Sequence, residues 1–363
     1  MDFKLTKTQM LQQELFRKFA ETEIKPIAKD MDEAEDYDRE LLQKLQKIGA
    51  FGIPYSREYG GQGADVLTYT LCMEEMSKVD ASTGITLSVH TSLCCPCINE
   101  FGTEEQKQKY LVPLAKGEKI GAFGLTEPSA GTDSSMQQTT AVLDGDEYVL
   151  NGTKVFITNA GYADIYVVIA MTDKSKGNKG ISAFIVEKGT PGFSVGKKER
   201  KMGIRGSATC DLIFENCRIP KENILGKEGQ GFKIAMQTLD GGRIGIASQA
   251  LGIMQGAIDE CVKYVMERRQ FGKKIGQFQN TQFELADMAT KAEAAKLLVY
   301  EAAATKDAGK PYSHLSAMCK YFAGSTASDI TRRCLQLFGG YGYTRDYPVE
   351  RMMRDAKITE IYE

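Results

Sequence analysis

The chain has 363 residues, with 46 basic and 48 acidic side chains and a formal net charge of −2. This balance gives no basic footprint for nucleic acid or an anionic membrane, and no apolar run approaches transmembrane length. Nine cysteines, an odd number scattered along a medium-sized chain, indicate reduced thiols. Residues 1–5 lead into a helical pattern without the features of a targeting peptide, so we expect a cytoplasmic protein without membrane insertion.

Residues 1–118 have the periodicity of amphipathic helices. Thr6 and Gln9 form a capping box ahead of apolar residues at helical spacing, and Pro26 is expected to bend or end that helix. We therefore expect an N-terminal helical domain over residues 1–118. Further helical patterns cover residues 38–48, 68–76 and 84–101.

Between residues 119 and 228 the apolar pattern changes from helical spacing to the alternation of β-strands. Asp144-Gly145 and Asn151-Gly152 are hairpin signals between such runs. We expect a middle domain over residues 119–228 made of an antiparallel, β-barrel-like sheet. The β-rich runs cover residues 166–170, 181–186 and 210–214.

Residues 229–363 return to long helical patterns punctuated by glycine and proline. Four long helices with short connections are typical of an antiparallel four-helix bundle. The whole chain therefore predicts an α+β multidomain fold, with helical, β and helical domains in that order. The four predicted helices cover residues 232–269, 281–308, 312–338 and 347–363.

His90, Cys94, Cys95 and Cys97 form the best candidate for a metal or redox site. Structural zinc sites usually take ligands from two separate segments, and free cysteine is among the most buried residue types. We interpret these side chains as helix core and predict no metal. The stretch 192–196 matches the spacing of a hydrolase nucleophile elbow, but it lies among strand signals rather than between a strand and a helix.

The last six residues, Ile358 to Glu363, end on a carboxylate that follows apolar and aromatic side chains. If Glu363 is buried, loss of hydration disfavours its charged form and raises its pKa toward the range that a general base needs. The alternative is a frayed and solvated terminus. Local chemistry leaves both interpretations open.

The loop Phe123–Asp133 is crowded with hydroxyl groups and small residues, which can bring hydrogen-bond donors close to a flat polar ring. Taken alone, it is also compatible with an ordinary surface loop. The loop closely resembles the flavin loop of the acyl-CoA dehydrogenase family. Further stretches resemble that family in its own order along the whole chain, at residues 151–159, 203–207, 267–272, 336–342 and 354–363.

The resemblance implies a helical domain, a middle β-domain and a C-terminal four-helix bundle, in agreement with the periodicity. It also implies FAD as cofactor, an acyl-CoA thioester as substrate, an electron-transfer flavoprotein as partner, and a homotetramer built as a dimer of dimers. The chain has no Gly-x-Gly-x-x-Gly or Walker A motif, so the dinucleotide must be held in another way.

Two groups of residues match FAD-binding positions of the family. The first group is expected to line the flavin ring, and the second to hold the diphosphate and adenine across a subunit interface. Arg268 would supply the charge that a diphosphate requires, and Gly339-Gly340 would permit close backbone approach. The alternative for each is an ordinary role as solvated charge, core aromatic or helix stop. The first group is Phe123, Leu125, Thr126, Thr132, Phe156, Ile157 and Thr158. The second is Arg268, Phe271, Gln279, Gln336, Leu337, Phe338, Gly339 and Gly340.

Asp240-Gly241-Gly242-Arg243 resembles the start of the family's substrate-side helix. The resemblance implies that this stretch and Thr132 contact the acyl-CoA, with Arg243 also near the base. Some relatives carry their catalytic Glu at the position of Gly242. Glycine cannot act as a base, so the family resemblance assigns the catalytic base to Glu363.

The implied mechanism has Glu363 take the α-proton while a hydride passes from Cβ to flavin N5. A ribityl hydroxyl and the backbone N–H of Glu363 would stabilise the developing enolate. Residues 203–207 and 234–252 resemble the short-chain members, so the expected reaction is butyryl-CoA to crotonyl-CoA. The alternatives are a branched-chain dehydrogenase, an acyl-CoA oxidase, or a non-catalytic flavin- or CoA-binding subunit of an electron-transfer complex.

Members of the family continue beyond this glutamate with Gly-Thr-Ser and a final helical segment that touches FAD. We therefore expect either that the sequence is a fragment of a longer enzyme or that its activity and FAD retention are impaired. A free α-carboxylate beside Glu363 would further disfavour ionisation of the side chain.

Overall fold

The computed structural model describes residues 4–363, so the first three residues of the predicted leaderless start lie outside the described part. The capping box predicted at Thr6 is confirmed: its hydroxyl accepts from the backbone of Gln9, whose side chain accepts from the backbone of Thr6. The first helix continues as a π-helical turn over Ala20–Ile24 and ends before Pro26. The N-terminal helices are α1 (Lys7–Phe19), α2 (Ala28–Ala34), α3 (Arg39–Lys47), α4 (Val66–Val79), α5 (Ala81–Ser88), α6 (Cys95–Phe101), α7 (Glu104–Gln106) and α8 (Val112–Ala115).

The middle region forms one sheet with the strand order β6-β7-β3-β2-β4-β5-β8, and β1 also pairs with β4. Most strand pairs are antiparallel, as predicted, but β1 and β2 both run parallel to β4. They lie one after the other along the same edge of β4, and the loop 125–139 bulges out between them. The strands are β1 (Gly121–Gly124), β2 (Thr140–Asp144), β3 (Glu147–Thr158), β4 (Ile165–Met171), β5 (Ile181–Glu187), β6 (Phe193–Lys198), β7 (Thr209–Pro220) and β8 (Ile224–Leu225).

One of the two predicted hairpin turns is confirmed. Asp144-Gly145 connects β2 to β3, with Gly145 in the left-handed region at φ +63°. The turn predicted at Asn151-Gly152 is wrong, because both residues lie inside β3 at a shift in its register with β7. Gly152 has φ +144°, and a Cβ there would lie 2.6 Å from Thr139 Oγ1. Glycine is therefore needed for a bulge and a close backbone approach rather than for a turn.

The C-terminal region contains three long helices and one short one. They are α9 (Gly231–Glu267), α10 (Gln279–Asp307), α11 (Ser313–Phe338) and α12 (Val349–Ile358), with a small hairpin of β9 (Arg269–Gln270) and β10 (Lys273–Lys274) after α9. The predicted helix 347–363 is wrong at its end. The Thr359 hydroxyl donates to Ala356 O at 2.7 Å, and the chain then turns, with Ile361 N donating to Ile358 O at 2.9 Å.

The predicted domain limits, 118/119 and 228/229, fall in the segments between α8 and β1 and between β8 and α9. One large apolar core joins α9, α10 and α11 to α5, α6 and one side of the sheet, and it includes Phe123, Leu125 and Leu93. Separate clusters lie among the N-terminal helices and on the opposite side of the sheet. In residues 4–363, no helix is both long enough and apolar enough to cross a membrane.

Candidate active site

The chain end turns back against α9 and places the side chain of Glu363 beside Gly242. Glu363 Oε2 is inaccessible to solvent and has no hydrogen-bond partner in the described chain. A Cβ at position 242 would overlap Glu363 Oε2 and lie 2.7 Å from Leu93 Cδ2. Gly242 therefore leaves the space that the carboxylate occupies, and Leu93 forms an apolar wall next to it.

Two cations, Arg243 and Lys320, lie near Glu363, but neither forms a hydrogen bond with its side-chain carboxylate. Arg243 Nε donates to the main-chain oxygen of Glu363 at 2.9 Å, and Arg243 Nη1 donates to Asp240 Oδ1 at 2.7 Å. Burial raises the pKa of Glu363 to about 8, and the charges of Lys320 and Arg243 only partly offset that rise. The carboxyl group is therefore poised to exchange a proton near neutral pH.

Tyr362 fixes the neighbouring residue of the chain end. Its hydroxyl donates to Gln249 Oε1 on α9, and Gln249 Nε2 donates to Ala81 O at the start of α5 at 2.8 Å. Glu363 itself has φ +54°, in the left-handed region. The main chain at Glu363 is thus held by Arg243 and, one residue earlier, by the Tyr362 side chain, while the Glu363 side-chain carboxylate itself accepts no hydrogen bond from residues 4–363.

Beyond Gly242, a group of hydroxyls closes the space against α9. Tyr69 Oη donates to Ser88 Oγ at 3.3 Å, and Ser88 Oγ lies 3.2 Å from Ser92 Oγ. A Cβ at Gly245, one turn after Gly242, would lie 2.6 Å from Ser88 Oγ and 2.8 Å from Tyr69 Oη. These hydroxyls therefore limit the length of the space that runs from Glu363 along α9 toward Gly245.

The loop 125–139 and the end of β3 bring together the residues predicted to line a flavin ring. Phe123 and Leu125 are buried, and Thr126 O accepts from Val155 N at 2.9 Å, which ties the loop to β3. Next along β3, Phe156 has φ +60° and is 63% exposed, so an aromatic ring lies open to solvent. Ile157 is buried and Thr158 is half-buried, whereas Thr132 is exposed and has no described contact with Glu363.

A second predicted group surrounds an open cavity of about 380 Å³ at the C-terminal end of α11. The guanidinium of Arg268 lies 5.4 Å from the centre of the Tyr341 ring, at the wall of this cavity. Phe271 and Gln279 do not line the cavity; Phe271 is 92% exposed, with its ring 6.1 Å from that of Phe278. The cavity lining includes Arg268, Gln336, Leu337, Phe338, Gly339 and Gly340.

The structure thus gathers the predicted residues into three places. Gly242 and Arg243 adjoin Glu363, and Asp240 is bonded to Arg243. The residues predicted to line the flavin ring lie on β1, the loop 125–139 and β3. Most of the residues predicted to bind the diphosphate and adenine lie at the Arg268 cavity. Gly241 faces Lys306, whose Nζ would lie 2.7 Å from a Cβ at that position. In the described part of the chain, no contact joins the Arg268 cavity to Glu363.

Glu127 and Lys154, for which no individual role was predicted, form a buried ion pair beneath the loop 125–139. A charged residue within an apolar β-stretch was the available signal, but the pairing joins positions 27 residues apart. Lys320 was also missed, because the alignment of α11 with the chain end is a property of the fold.

His90 and the nearby cysteines are fully buried. His90 Nδ1 accepts from Gly121 N at 3.0 Å, and Nε2 lies 3.1 Å from Leu114 O. Both ring nitrogens are therefore occupied by backbone groups, and burial lowers the pKa of His90 to about 3. Among residues 4–363, no group of three or more His, Cys, Asp or Glu side chains is arranged to hold a metal.

Comparison with known proteins identifies the class of this fold and site. The chain matches the N-terminal domain of acyl-CoA dehydrogenases over residues 6–118, the middle domain over 122–217 and the C-terminal domain over 229–363. It belongs to the acyl-CoA dehydrogenase family, whose members are FAD-dependent oxidoreductases. The predictions of family, three-part fold and enzyme class are confirmed.

Individual relatives share nearly their whole length with this chain. It is 61% identical to the short-chain specific acyl-CoA dehydrogenase of Clostridium acetobutylicum over 363 residues, which covers 100% of this chain and 96% of that protein. The structure of butyryl-CoA dehydrogenase from Megasphaera elsdenii is similar at a TM-score of 0.98 and 54% identity, covering 100% of this chain and 96% of that one. A chain in a structure described as the electron transferring flavoprotein of Acidaminococcus fermentans, towards a mechanism of flavin-based electron bifurcation, gives a TM-score of 0.99 at 61% identity, covering 100% and 95%.

Proposed function

We propose that this enzyme dehydrogenates short-chain acyl-CoA thioesters at Cα–Cβ, converting butyryl-CoA to crotonyl-CoA, with Glu363 as the catalytic base. The observation that carries the proposal is the buried, unpartnered Oε2 of Glu363 in the space left by Gly242. A buried carboxylate without hydrogen-bond donors destabilises the fold, so its presence calls for a functional explanation. Abstraction of a weakly acidic α-proton provides one, and the similarity to short-chain enzymes supports the substrate.

The surroundings of Glu363 suit the charge that moves during proton abstraction. Its pKa of about 8 lets the carboxylate accept a proton without binding it irreversibly. Its backbone N–H has no acceptor in the described chain, so it can donate to the thioester oxygen as enolate charge develops there. Arg243 holds the Glu363 main chain in place for both roles.

The short space beyond Glu363 supports a short acyl chain. Tyr69, Ser88 and Ser92 fill the position next to Gly245, and extra methylene groups would have to displace buried hydroxyls that bond to one another. Burying such groups without partners costs about 1–3 kcal/mol each. In this proposal the acyl group lies beside Glu363, and the hydroxyls of Tyr69, Ser88 and Ser92 limit its length.

The residues of the two predicted FAD groups have the chemistry that this cofactor requires. Apart from the adjacent backbone, no atom lies within 4 Å of where a Cβ would stand on Gly339 or Gly340. Arg268 is exposed beside them, so a diphosphate has room and a counter-charge. The exposed ring of Phe156 and the hydroxyls of Thr126 and Thr158 offer an aromatic wall and donors for the ring. Bound FAD would supply the hydride acceptor, and these side chains would orient it and exclude water.

We also propose that a second copy of the chain completes the FAD site in a homotetramer, that an electron-transfer flavoprotein takes the electrons, and that the enzyme is cytoplasmic. The exposure of Phe271 (92%) and Tyr343 (87%) near the Arg268 cavity supports a partner surface there. The similarity to a chain of the Acidaminococcus fermentans structure supports the electron-transfer partner. All nine cysteines are free and buried, as in a reducing compartment.

The test is anaerobic titration of the FAD-loaded enzyme with butyryl-CoA, followed by the visible flavin spectrum. We expect rapid bleaching in the native protein, and a rate about 100- to 10,000-fold lower in Glu363→Gln, with the flavin still bound. Retained bleaching in Glu363→Gln would contradict the assignment of the base. Rates on C4, C6, C8 and branched substrates test the chain length, and a maximum at C8 or on a branched acyl group would contradict it; oxygen-dependent peroxide formation at the full turnover rate would favour an oxidase.

A further inference from the structure

Lys154 is a fully buried cation on β3, and its side chain lies beneath the predicted flavin loop. Its Nζ donates to Glu127 Oε1 at 2.6 Å, to Gln137 Oε1 at 2.5 Å and to Leu125 O at 3.2 Å. The Lys154 side chain is 0% exposed, and that of Glu127 is 2% exposed. All three protons of the ammonium group therefore have acceptors, and all three acceptors belong to the loop 125–139.

The acceptors of Lys154 are themselves tied to the rest of the loop. The Glu127 carboxylate accepts from Gln138 N at 2.6 Å and from Thr139 N at 3.0 Å. Gln137 Nε2 donates to Ser134 O at 3.0 Å and to Leu125 O at 3.2 Å. Both ends of the loop are thus joined through one buried cation on β3.

This network fixes the orientation of one peptide unit. Leu125 O accepts from both Lys154 and Gln137, so it points into the loop. In a planar trans peptide the following N–H points the opposite way, so Thr126 N–H points out of the loop. That N–H has no acceptor in the described part of the chain, while Thr126 O is held by Val155 N at 2.9 Å.

We propose that Lys154 is a positioning residue for FAD: by drawing the Leu125 carbonyl inward, it presents the Thr126 N–H to the polar edge of the flavin ring. This inference rests on the proposed FAD site at Phe123–Thr132. Lys154 does not touch the cofactor itself and acts only through the Leu125–Thr126 peptide. It is placed for this because it precedes Phe156 and Thr158 on the same strand, so the two sides of the ring site share one anchor.

The other explanation is that the ion pair only stabilises the fold. Removal of one partner from a buried pair leaves an uncompensated charge, whereas replacement of both by neutral groups of similar size is often tolerated. The double variant Lys154→Met/Glu127→Gln therefore separates the two explanations. It removes the buried charges together but also removes the ammonium that holds Leu125 O.

The experiment measures the FAD affinity of the apoprotein by quenching of flavin fluorescence, together with its thermal midpoint, without any substrate. We expect Lys154→Met and the double variant to bind FAD at least about 10-fold more weakly, as the loss of a charge-assisted contact implies. The midpoint of the double variant should stay near that of the native apoprotein. Lys174→Met is the control: exposed Lys174 donates to Gln138 Oε1 at 3.3 Å from the solvent side of the same loop, and its FAD affinity should not change.

Native FAD affinity in the folded double variant would overturn the inference, because the site would then bind FAD equally well without the ammonium that holds Leu125 O. If Lys154→Met does not fold, the double variant still gives that answer. A native apoprotein that binds no FAD would overturn both this inference and the proposed function. Because no substrate is used, the result does not depend on whether butyryl-CoA is the substrate.

Discussion

Two glutamates of this enzyme hold side-chain oxygen atoms out of solvent near cations, and they differ in their hydrogen bonds. Glu127 accepts bonds from Lys154 and from two backbone N–H groups. Glu363 Oε2 accepts none from the described residues. Arg243 binds the main-chain oxygen of Glu363 instead, and Lys320 acts on the carboxylate only through its charge. The same side chain is thus fully bonded under the loop 125–139 and left without donors at the chain end.

The pKa values of the two carboxyl groups move in opposite directions. Burial opposes ionisation of Glu127, but the Lys154 ammonium and the backbone donors outweigh it and hold the pKa of that carboxyl below its usual range. Burial of Glu363 is not outweighed, and its pKa rises to about 8. Burial alone therefore does not mark a base: a directly paired cation, together with backbone donors, makes Glu127 a fixed charge, and their absence at the Glu363 carboxylate leaves a proton acceptor.

The largest effect on this comparison is expected from Gly242→Ala. The new methyl group would overlap Glu363 Oε2, and it would push the carboxylate away from its present position. Displacement of a catalytic group by about 1 Å can cost about 100-fold in rate, so we expect a loss of that order in flavin reduction by butyryl-CoA, measured by stopped flow.

The comparison variant is Gly241→Ala, whose methyl group would meet the movable end of Lys306 at 2.7 Å. A much smaller loss is expected there because a flexible side chain can move aside. Equal rates in Gly242→Ala and the native enzyme would mean that Glu363 has room to spare and that its contact with Gly242 is unimportant.

A smaller effect is expected on the thermal midpoint, which should change in opposite directions when Glu363 and Glu127 are each replaced by glutamine. Burial raises the pKa of Glu363 from 4.5 to about 8, so between these values the folded state keeps a proton that the unfolded state loses. Its contribution to stability is therefore lost as pH rises from 4.5 through 8 and stays lost above that. Glu363→Gln should therefore raise the thermal midpoint of the apoprotein at pH 8.5 by a few degrees and have little effect at pH 5.

Glu127 has a lowered pKa, so its contribution to stability is present above the ordinary pKa of 4.5 and is lost as pH falls below it. Burial lowers the pKa of Lys154 to about 8 even beside Glu127. Glu127→Gln should lower the thermal midpoint at pH 8.5, because Lys154 then either stays buried as an unpaired charge or gives up its proton, and breaking a buried pair costs about 3–5 kcal/mol. Calorimetry of both variants at pH 5 and 8.5 tests whether Glu363→Gln raises the thermal midpoint and Glu127→Gln lowers it. Midpoints that shift in the same direction at pH 8.5 would contradict the contrast between the two sites.

Sequence periodicity was sufficient for the order of helical, β and helical regions and for most element positions. It failed where long-range contacts override local signals. Asn151-Gly152 has the composition of a turn, but the approach of Thr139 makes it a bulge. The last helix was predicted to reach Glu363, yet it ends at Ile358 and leaves the chain free to turn toward α9.

The candidate site was predictable only as far as motif resemblance reached. That resemblance selected Glu363, Arg243 and Arg268, and the individual roles of these residues stay predictions. Burial of Glu363 Oε2, the link from Tyr362 to Gln249 and the bonds of Lys154 depend on segments far apart in sequence. The packing of those segments creates the contacts, so no local pattern could have indicated them.

The most direct test of the central claim, that unpartnered Glu363 is the base, is the pH dependence of flavin reduction at butyryl-CoA concentrations well below saturation, where the rate reports the groups of the free enzyme. A base must be ionised to act, so the rate should rise with pH through an apparent pKa near 8 and level off above it, as the raised pKa of Glu363 to about 8 requires. The pH-dependent rise should be absent in Glu363→Gln. A native rate that does not change between about pH 6 and 9, or a rise that persists in Glu363→Gln, would contradict the claim.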